Sequence, residues 1–316
     1  MALPHHQENK GGPLPIRIVE VGPRDGLQNE RRIMSTEAKI RFINALSMSG
    51  VSEIEVGSFV SARSIPQLAD SDEVLKRIER RAGVVYSALV PNERGLERAR
   101  AAGVEKVAVF TSVSDTFNQH NIHCTVEESI GRFKSVVYQA KQDRLVVRAY
   151  ISTVTHCPFE GPVLPSRVRD VMSKLVDLGV DEISLGDTIG KATPNDVRRL
   201  MDEIKPHVGR AALSLHFHDT YGMAVANVLT AWSEYGVASF DTSAGGLGGC
   251  PYAPGASGNV ATEDVVHALR ASGASIAVNE RLVVNAAWQL GTELNHPLFS
   301  RLSSVYQRQK WYEAVS

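Results

Sequence analysis

The chain has 316 residues, with 34 Lys and Arg against 35 Asp and Glu, a net charge of -1 at pH 7. That balance, and the lack of any basic run interleaved with aromatics, argues against nucleic acid as a partner. Hydrophobic residues make up 43% of the chain, as in an ordinary globular protein, and no stretch approaches the roughly 18 apolar residues of a membrane span.

The first fourteen residues carry no apolar core of signal-peptide length and no arginine, and read as a loose tail over 1–14. From Ile16 onward, short apolar runs alternate with helical patterns. IRIVEVG (16–22), EIEVG (53–57), VVYSAL (84–89) and KVAVFTS (106–112) predict four strands, and LVVRAYIST (145–153), EISLGDT (182–188), LSLHFHDT (213–220) and SFDTSAG (239–245) four more. Segments such as TEAKIRFINALSMSG and SRVRDVMSKLVDLG place apolar residues three and four apart, as helices require. Ser35 or Thr36, Thr125 and Thr193-Pro194 supply helix starts. The phrases SGVSEIEV, AGVEKVAV, LGVDEISL and YGVASFDT precede every second strand, which puts Gly50, Gly103, Gly179 and Gly236 at left-handed helix ends. Eight consecutive strand-helix units predict a (β/α)8 TIM barrel over 15–272 rather than a doubly wound open sheet. Residues 273–316 form a C-terminal helical extension whose extra apolar surface suggests a homodimer.

A barrel of this kind keeps its active site at the C-terminal ends of the strands. Arg24 and Asp25 follow the first strand, Glu55 and Ser58 the second, Ser184 and Asp187 belong to the sixth, and His216 and His218 to the seventh. Ser214, His216 and His218 share one strand face, because the side-chain period of a strand is two. Two imidazoles held in this way, with Asp25 from the adjoining first strand, make a divalent-metal site of hard and borderline ligands. Each residue also has a structural reading: Asp25 and Asp187 as turn caps, Asp219 as the N-cap of the next helix, Glu55 as an interior carboxylate needing a cation such as Arg24. The run GGLGGCPYAPGASGN, with Cys250 and Asn259, lacks the ending of a phosphate-binding loop. It reads instead as a lid carrying a reactive group. Cys124 and Cys157 read as structural. Three cysteines are an odd number in a chain too long to need disulfide staples, and fit a cytoplasmic location.

GPRDGLQNE, SFVS, SLGDTIG, HFHDTYG and GGLGGCPYAPGASGN together resemble the 3-hydroxy-3-methylglutaryl-CoA lyases of the DRE-TIM metallolyase group, from about Ile16 to Leu269. The resemblance implies a barrel that binds Mg²⁺ or Mn²⁺ and cleaves an acyl-CoA to acetyl-CoA and acetoacetate. Carried over by motif, it makes Asp25, His216, His218 and Asn259 the metal ligands, with Asp25 and His216 also counted among the catalytic residues. It makes Arg24 the stabiliser of the enolate oxygen and Cys250 the catalytic cysteine, with Glu55 and Asp187 as supporting carboxylates. The chain departs from the family at Ala62, Arg63, Ser64 and Ile65, where members commonly carry Pro-Lys-Trp-Val. That departure keeps open a lyase for a related 3-hydroxyacyl-CoA such as citramalyl-CoA. A Claisen-condensing synthase of the same barrel group lacks the Gly-Gly-Cys-Pro-Tyr loop. A non-catalytic barrel would have lost a ligand or Arg24.

Overall fold

The structure is a computed structural model that describes residues 15–249, 258–298 and 300–315. Its strands are β1 (Arg17–Glu20), β2 (Glu53–Ser58), β3 (Val85–Leu89), β4 (Lys106–Ser112), β5 (Val146–Ser152), β6 (His156–Cys157), β7 (Gly161–Pro162), β8 (Glu182–Asp187), β9 (Ala212–Phe217) and β10 (Ser239–Thr242). All but β6 and β7 close into one parallel barrel, in the order β1-β2-β3-β4-β5-β8-β9-β10. Closure is made by Val19 opposite Asp241 on one side of β1 and opposite Glu53 on the other.

The helices are α1 (Thr36–Ser47), α2 (Ser71–Arg77), α3 (Glu93–Ala101), α4 (Asp115–Ile122), α5 (Val126–Gln142), α6 (Pro165–Leu178), α7 (Pro194–Ile204), α8 (Ala224–Tyr235), α9 (Thr262–Ala271), α10 (Glu280–Leu294) and α11 (Arg301–Val315). Ser35 accepts a hydrogen bond from Ala38 N at the start of α1, and Thr125 with Glu128 and Thr193 with Asp196 form reciprocal capping pairs. Such caps contribute about 1 kcal/mol each. Gly50, Gly103, Gly179 and Gly236 all take positive φ, so the repeated Gly-Val phrases end helices in the left-handed turn their spacing suggested.

Two features depart from a simple strand-helix alternation. The connection from β4 to β5 holds two helices, because His123 at φ 54° breaks the run and Thr125 caps a new start. After β5, β6 and β7 make a small antiparallel hairpin, too short to leave an alternating pattern in the sequence. Beyond the barrel, α10 packs along α1 and α9. No helix among the described residues is long and apolar enough to cross a membrane.

The outward faces of the strands, including Ile18, Ile54, Val107, Val147 and Ile183, are fully buried against the helices. The barrel interior is different, because a column of charge runs up it. At the lower end Lys106 Nζ bonds Glu53 Oε2 (2.7 Å) and Glu182 Oε2 (2.5 Å), with Arg17 beneath. Arg148 Nη1 lies 3.0 Å from Glu182 Oε1, and Nη2 bonds Asp241 Oδ1. Ionisable groups survive burial only when they are paired in this way.

Candidate active site

After β1 the chain coils tightly over Gly22–Gly26, where the N–H groups of Arg24, Asp25 and Gly26 all reach Val21 O. The coil sets Arg24 and Asp25 side by side at the upper rim. Arg24 is 7% exposed; its Nε donates to Glu55 Oε2 (2.6 Å) and its Nη1 to Asp25 Oδ1 (2.7 Å). Its guanidinium lies 5.3 Å above the Tyr150 ring, and Tyr150 OH donates to Glu55 Oε2 (3.2 Å). Three groups thus fix the plane of one cation. Burial raises the Glu55 carboxyl above its ordinary range, against the pull of Arg24.

Beside Arg24, Asp25, His216 and His218 bring ligand atoms within 4.8 Å of one another. His216 turns Nδ1 toward Asp241 Oδ2 (3.2 Å) and Nε2 toward Asp25 Oδ2 (3.9 Å). Asp241 is itself held by Arg148, by Ser214 Oγ (2.9 Å) and by Ser184 Oγ (2.7 Å). Asn259 forms an antiparallel bridge with His218, and its Nδ2 donates to Asp25 Oδ2 (2.8 Å). Asp25, His216 and His218 of the predicted quartet therefore meet at one point, and Asn259 adjoins them through Asp25.

These residues fit a divalent cation. His218 Nδ1 and Asn259 Oδ1 are buried acceptors with no hydrogen-bond partner among the described residues, an expensive arrangement unless an electrophile faces them. One carboxylate, one amide oxygen and two imidazoles make a hard-to-borderline donor set, with no thiolate to favour a soft ion. Burial opposes ionisation of Asp25, but Arg24 and then the two imidazoles hold its carboxyl down at about 2. Burial and the neighbouring His216 keep the His218 imidazole neutral down to about 4, leaving it free to donate a lone pair.

The remaining candidates fall in different places. Asp187 lies beneath the rim, where Oδ1 accepts from Thr155 Oγ1 and Oδ2 from Ala192 N, both at 3.0 Å. It pins the loop after β8, and burial raises its carboxyl to about 6. Asp219 is not the N-cap of α8, a position that Met223 holds; it lies four residues earlier in the loop and accepts from Ala224 N (2.9 Å), the first N–H of the helix. Cys124 and Cys157 are buried, the latter beside Ser114 Oγ at 3.2 Å. Cys250 lies outside the described residues. The stem of its loop is tightly drawn: Asn29 Nδ2 donates to Gly249 O (3.0 Å), and a Cβ on Gly258 would sit 2.4 Å from the Gly248 carbonyl carbon. Only glycine permits that approach. A cavity of about 1190 Å³ opens above the quartet, with Arg24, Tyr150 and His216 in its wall and Ser64 and Ile65 from the loop after β2 at its side.

Sequence reasoning missed Tyr150, Arg148 and Asp241. Part of the signal was present, since VVRAYIS carries a charge inside a mostly apolar strand and SFDTS places a carboxylate within a strand, and a buried charge needs a partner.

Comparison with known proteins follows the same lines. Residues 15–290 match the HMGL-like family. The hydroxymethylglutaryl-CoA lyase of Pseudomonas mevalonii is 47% identical over 88% of this chain and 92% of its own. The crystal structure of hydroxymethylglutaryl-CoA lyase from Pseudomonas aeruginosa superposes with a TM-score of 0.91 at 45% identity, over 94% of this chain and 99% of that one. An HMG-CoA lyase from Acinetobacter baumannii, solved with coenzyme A and 3-methylmalate, gives a TM-score of 0.87 at 38% identity, over 92% and 94%.

Proposed function

The chain belongs to the HMGL-like family and is a carbon-carbon lyase; from that premise we propose that it splits 3-hydroxy-3-methylglutaryl-CoA into acetyl-CoA and acetoacetate with the help of a divalent cation. The observation that carries this reading is the meeting of Arg24, Asp25, His216 and His218 in the wall of one large cavity.

Asp25, His216, His218 and Asn259 would hold the cation, Mg²⁺ or Mn²⁺, which lowers the pKa of the substrate's tertiary hydroxyl and orients the acyl group. Asp25 or a water takes the hydroxyl proton. The C2–C3 bond then breaks: the alkoxide becomes the ketone of acetoacetate, and the electron pair passes to the thioester as an enolate. Arg24, its plane fixed by Glu55, Asp25 and Tyr150, offers a permanent positive charge to that enolate oxygen. A preorganised donor of this kind is worth about 3 kcal/mol in the transition state. Cys250 returns a proton to C2, since a thiol with an ordinary pKa near 8.5 keeps its proton at neutral pH. Asp187 supports the loop after β8, and Glu55 holds Arg24.

Ser64 and Ile65 favour a second reading, because they stand at the cavity wall where the chain departs from the family pattern. Under it the same chemistry acts on citramalyl-CoA and yields pyruvate. The deciding experiment supplies purified protein with both thioesters, each with Mg²⁺ and with chelator. Faster, Mg²⁺-dependent acetoacetate release supports the first reading; pyruvate with little acetoacetate establishes the second. Two copies are expected to pair in the cytoplasm, and a single species sedimenting at monomer mass would rule the homodimer out.

A further inference from the structure

We propose that Asp241, clamped by Arg148, is a positioning residue that fixes the tautomer of His216 and so makes its Nε2 a metal-facing acceptor; the inference rests on the metal-centre reading above.

Each oxygen of Asp241 faces two donors. Oδ1 receives Arg148 Nη2 and Ser214 Oγ, and Oδ2 receives Ser184 Oγ and the His216 ring. An ionised carboxylate only accepts hydrogen bonds, at about four lone-pair sites. All four sites are taken, so His216 Nδ1 must carry the ring proton. In the neutral ring the lone pair is therefore left on Nε2, which lies 3.9 Å from Asp25 Oδ2 on the cavity side. Arg148, 1% exposed and tied also to Glu182, prevents the carboxylate from rotating away. Ser239 Oγ donates to Ser214 Oγ (3.2 Å), which leaves the Ser214 proton for Asp241. Strands β5, β8, β9 and β10 thus all contribute to the orientation of a single ring. Carboxylates placed behind a ligand histidine in this way typically govern metal affinity by 10–100-fold.

Asp241→Asn tests the idea with little change of shape. The amide must keep its oxygen toward Arg148, which cannot accept a hydrogen bond. Its NH₂ then faces Nδ1 and forces the ring proton onto Nε2, turning the ligand nitrogen into a donor. In the full-length, metal-free protein, at a pH high enough for the ring to be neutral, ¹⁵N ring spectra should show His216 as the Nδ1–H form in the wild type and the Nε2–H form in the variant. Titration with Mn²⁺ should show affinity reduced by about 10–100-fold in the variant. A merely structural role for Asp241 would instead lower the metal-free unfolding midpoint and leave Mn²⁺ affinity unchanged, and that result overturns the proposal. A neutral ring protonated at Nε2 in the wild type overturns it as well, and this arm does not depend on whether the variant folds. His218→Ala is measured in parallel. If it too binds Mn²⁺ like the wild type, the metal-centre reading has failed; if it loses Mn²⁺ while Asp241→Asn does not, only the positioning role has.

Discussion

Replacing Glu20 with Gln should change how the stability of the protein depends on pH. Glu20 lies on the outer face of β1, fully buried, with Oε1 accepting the N–H groups of Gly22 (2.9 Å) and Ala244 (3.0 Å). Its Oε2 sits 2.7 Å from Thr262 Oγ1, which is itself 2.7 Å from Thr242 Oγ1. Among the described residues no cation is bonded to it. Burial raises the carboxyl from its ordinary 4.5 to about 7, against those hydrogen bonds and with added repulsion from Glu263. Between those two values the folded chain keeps a proton that the unfolded chain has released. The stability associated with this group is therefore fully present below pH 4.5 and is lost as pH rises through 7. At about 1.4 kcal/mol per pH unit the loss amounts to roughly 3 kcal/mol. Glutamine reproduces the protonated form: its oxygen accepts the same two N–H groups and its NH₂ donates to Thr262. Urea denaturation followed by tryptophan fluorescence should find Glu20→Gln close to the wild type at pH 5. The variant should then gain on the wild type up to about pH 7 and level off toward pH 8. A stability difference that does not vary with pH would show that Glu20 is not the proton-holding group, and the reasoning would fail.

Arg24→Lys keeps a charge but loses the planar grip on Glu55 and Asp25; kcat for acetoacetate formation should fall by about 10²–10³, and an unchanged kcat would remove Arg24 from the enolate oxygen. His218→Ala should abolish metal-dependent turnover, and activity surviving that change would refute the ligand assignment. Cys250→Ala should slow turnover while leaving Mn²⁺ affinity intact; a lost metal would make the cysteine a ligand or a structural element. Gly245→Ala should destabilise the fold by about 1–3 kcal/mol. Gly245 has φ +69°, and a Cβ there would lie 2.8 Å from Leu298 Cβ and 3.0 Å from Ala287 Cβ. An unmoved urea midpoint would mean that the segment packed on it gives way freely.

The barrel was legible because its signals are local. The Gly-Val phrases end helices where their spacing said they would, and the alternation in LSLHFHDT brings His216 into the barrel with Ser214. Asp25 and Arg24 could be placed at the rim from one strand end alone. What supports them depends on register between distant strands. Asp241 meets His216 because β10 and β9 pair with these two residues in register, and nothing in SFDTS names its partner. Asp187 shows the opposite limit: its position beside the rim was readable, but the bonds to Thr155 and Ala192 that turn it into the loop belong to the folded chain.

The ionic column inside the barrel limits how this protein can change. An apolar interior accepts drift one methyl group at a time, whereas removing one member of a buried ion pair strands its partner at a cost of about 3–5 kcal/mol. Lys106 serves two glutamates, Glu182 also faces Arg148, and Arg148 reaches Asp241 and through it His216. A single step such as Lys106→Met therefore leaves Glu53 and Glu182 without their shared lysine, and replacing Glu182 as well takes a partner from Arg148. The floor of the barrel and the His216 ring at its summit form one connected block, in which remodelling the base is felt at that ring.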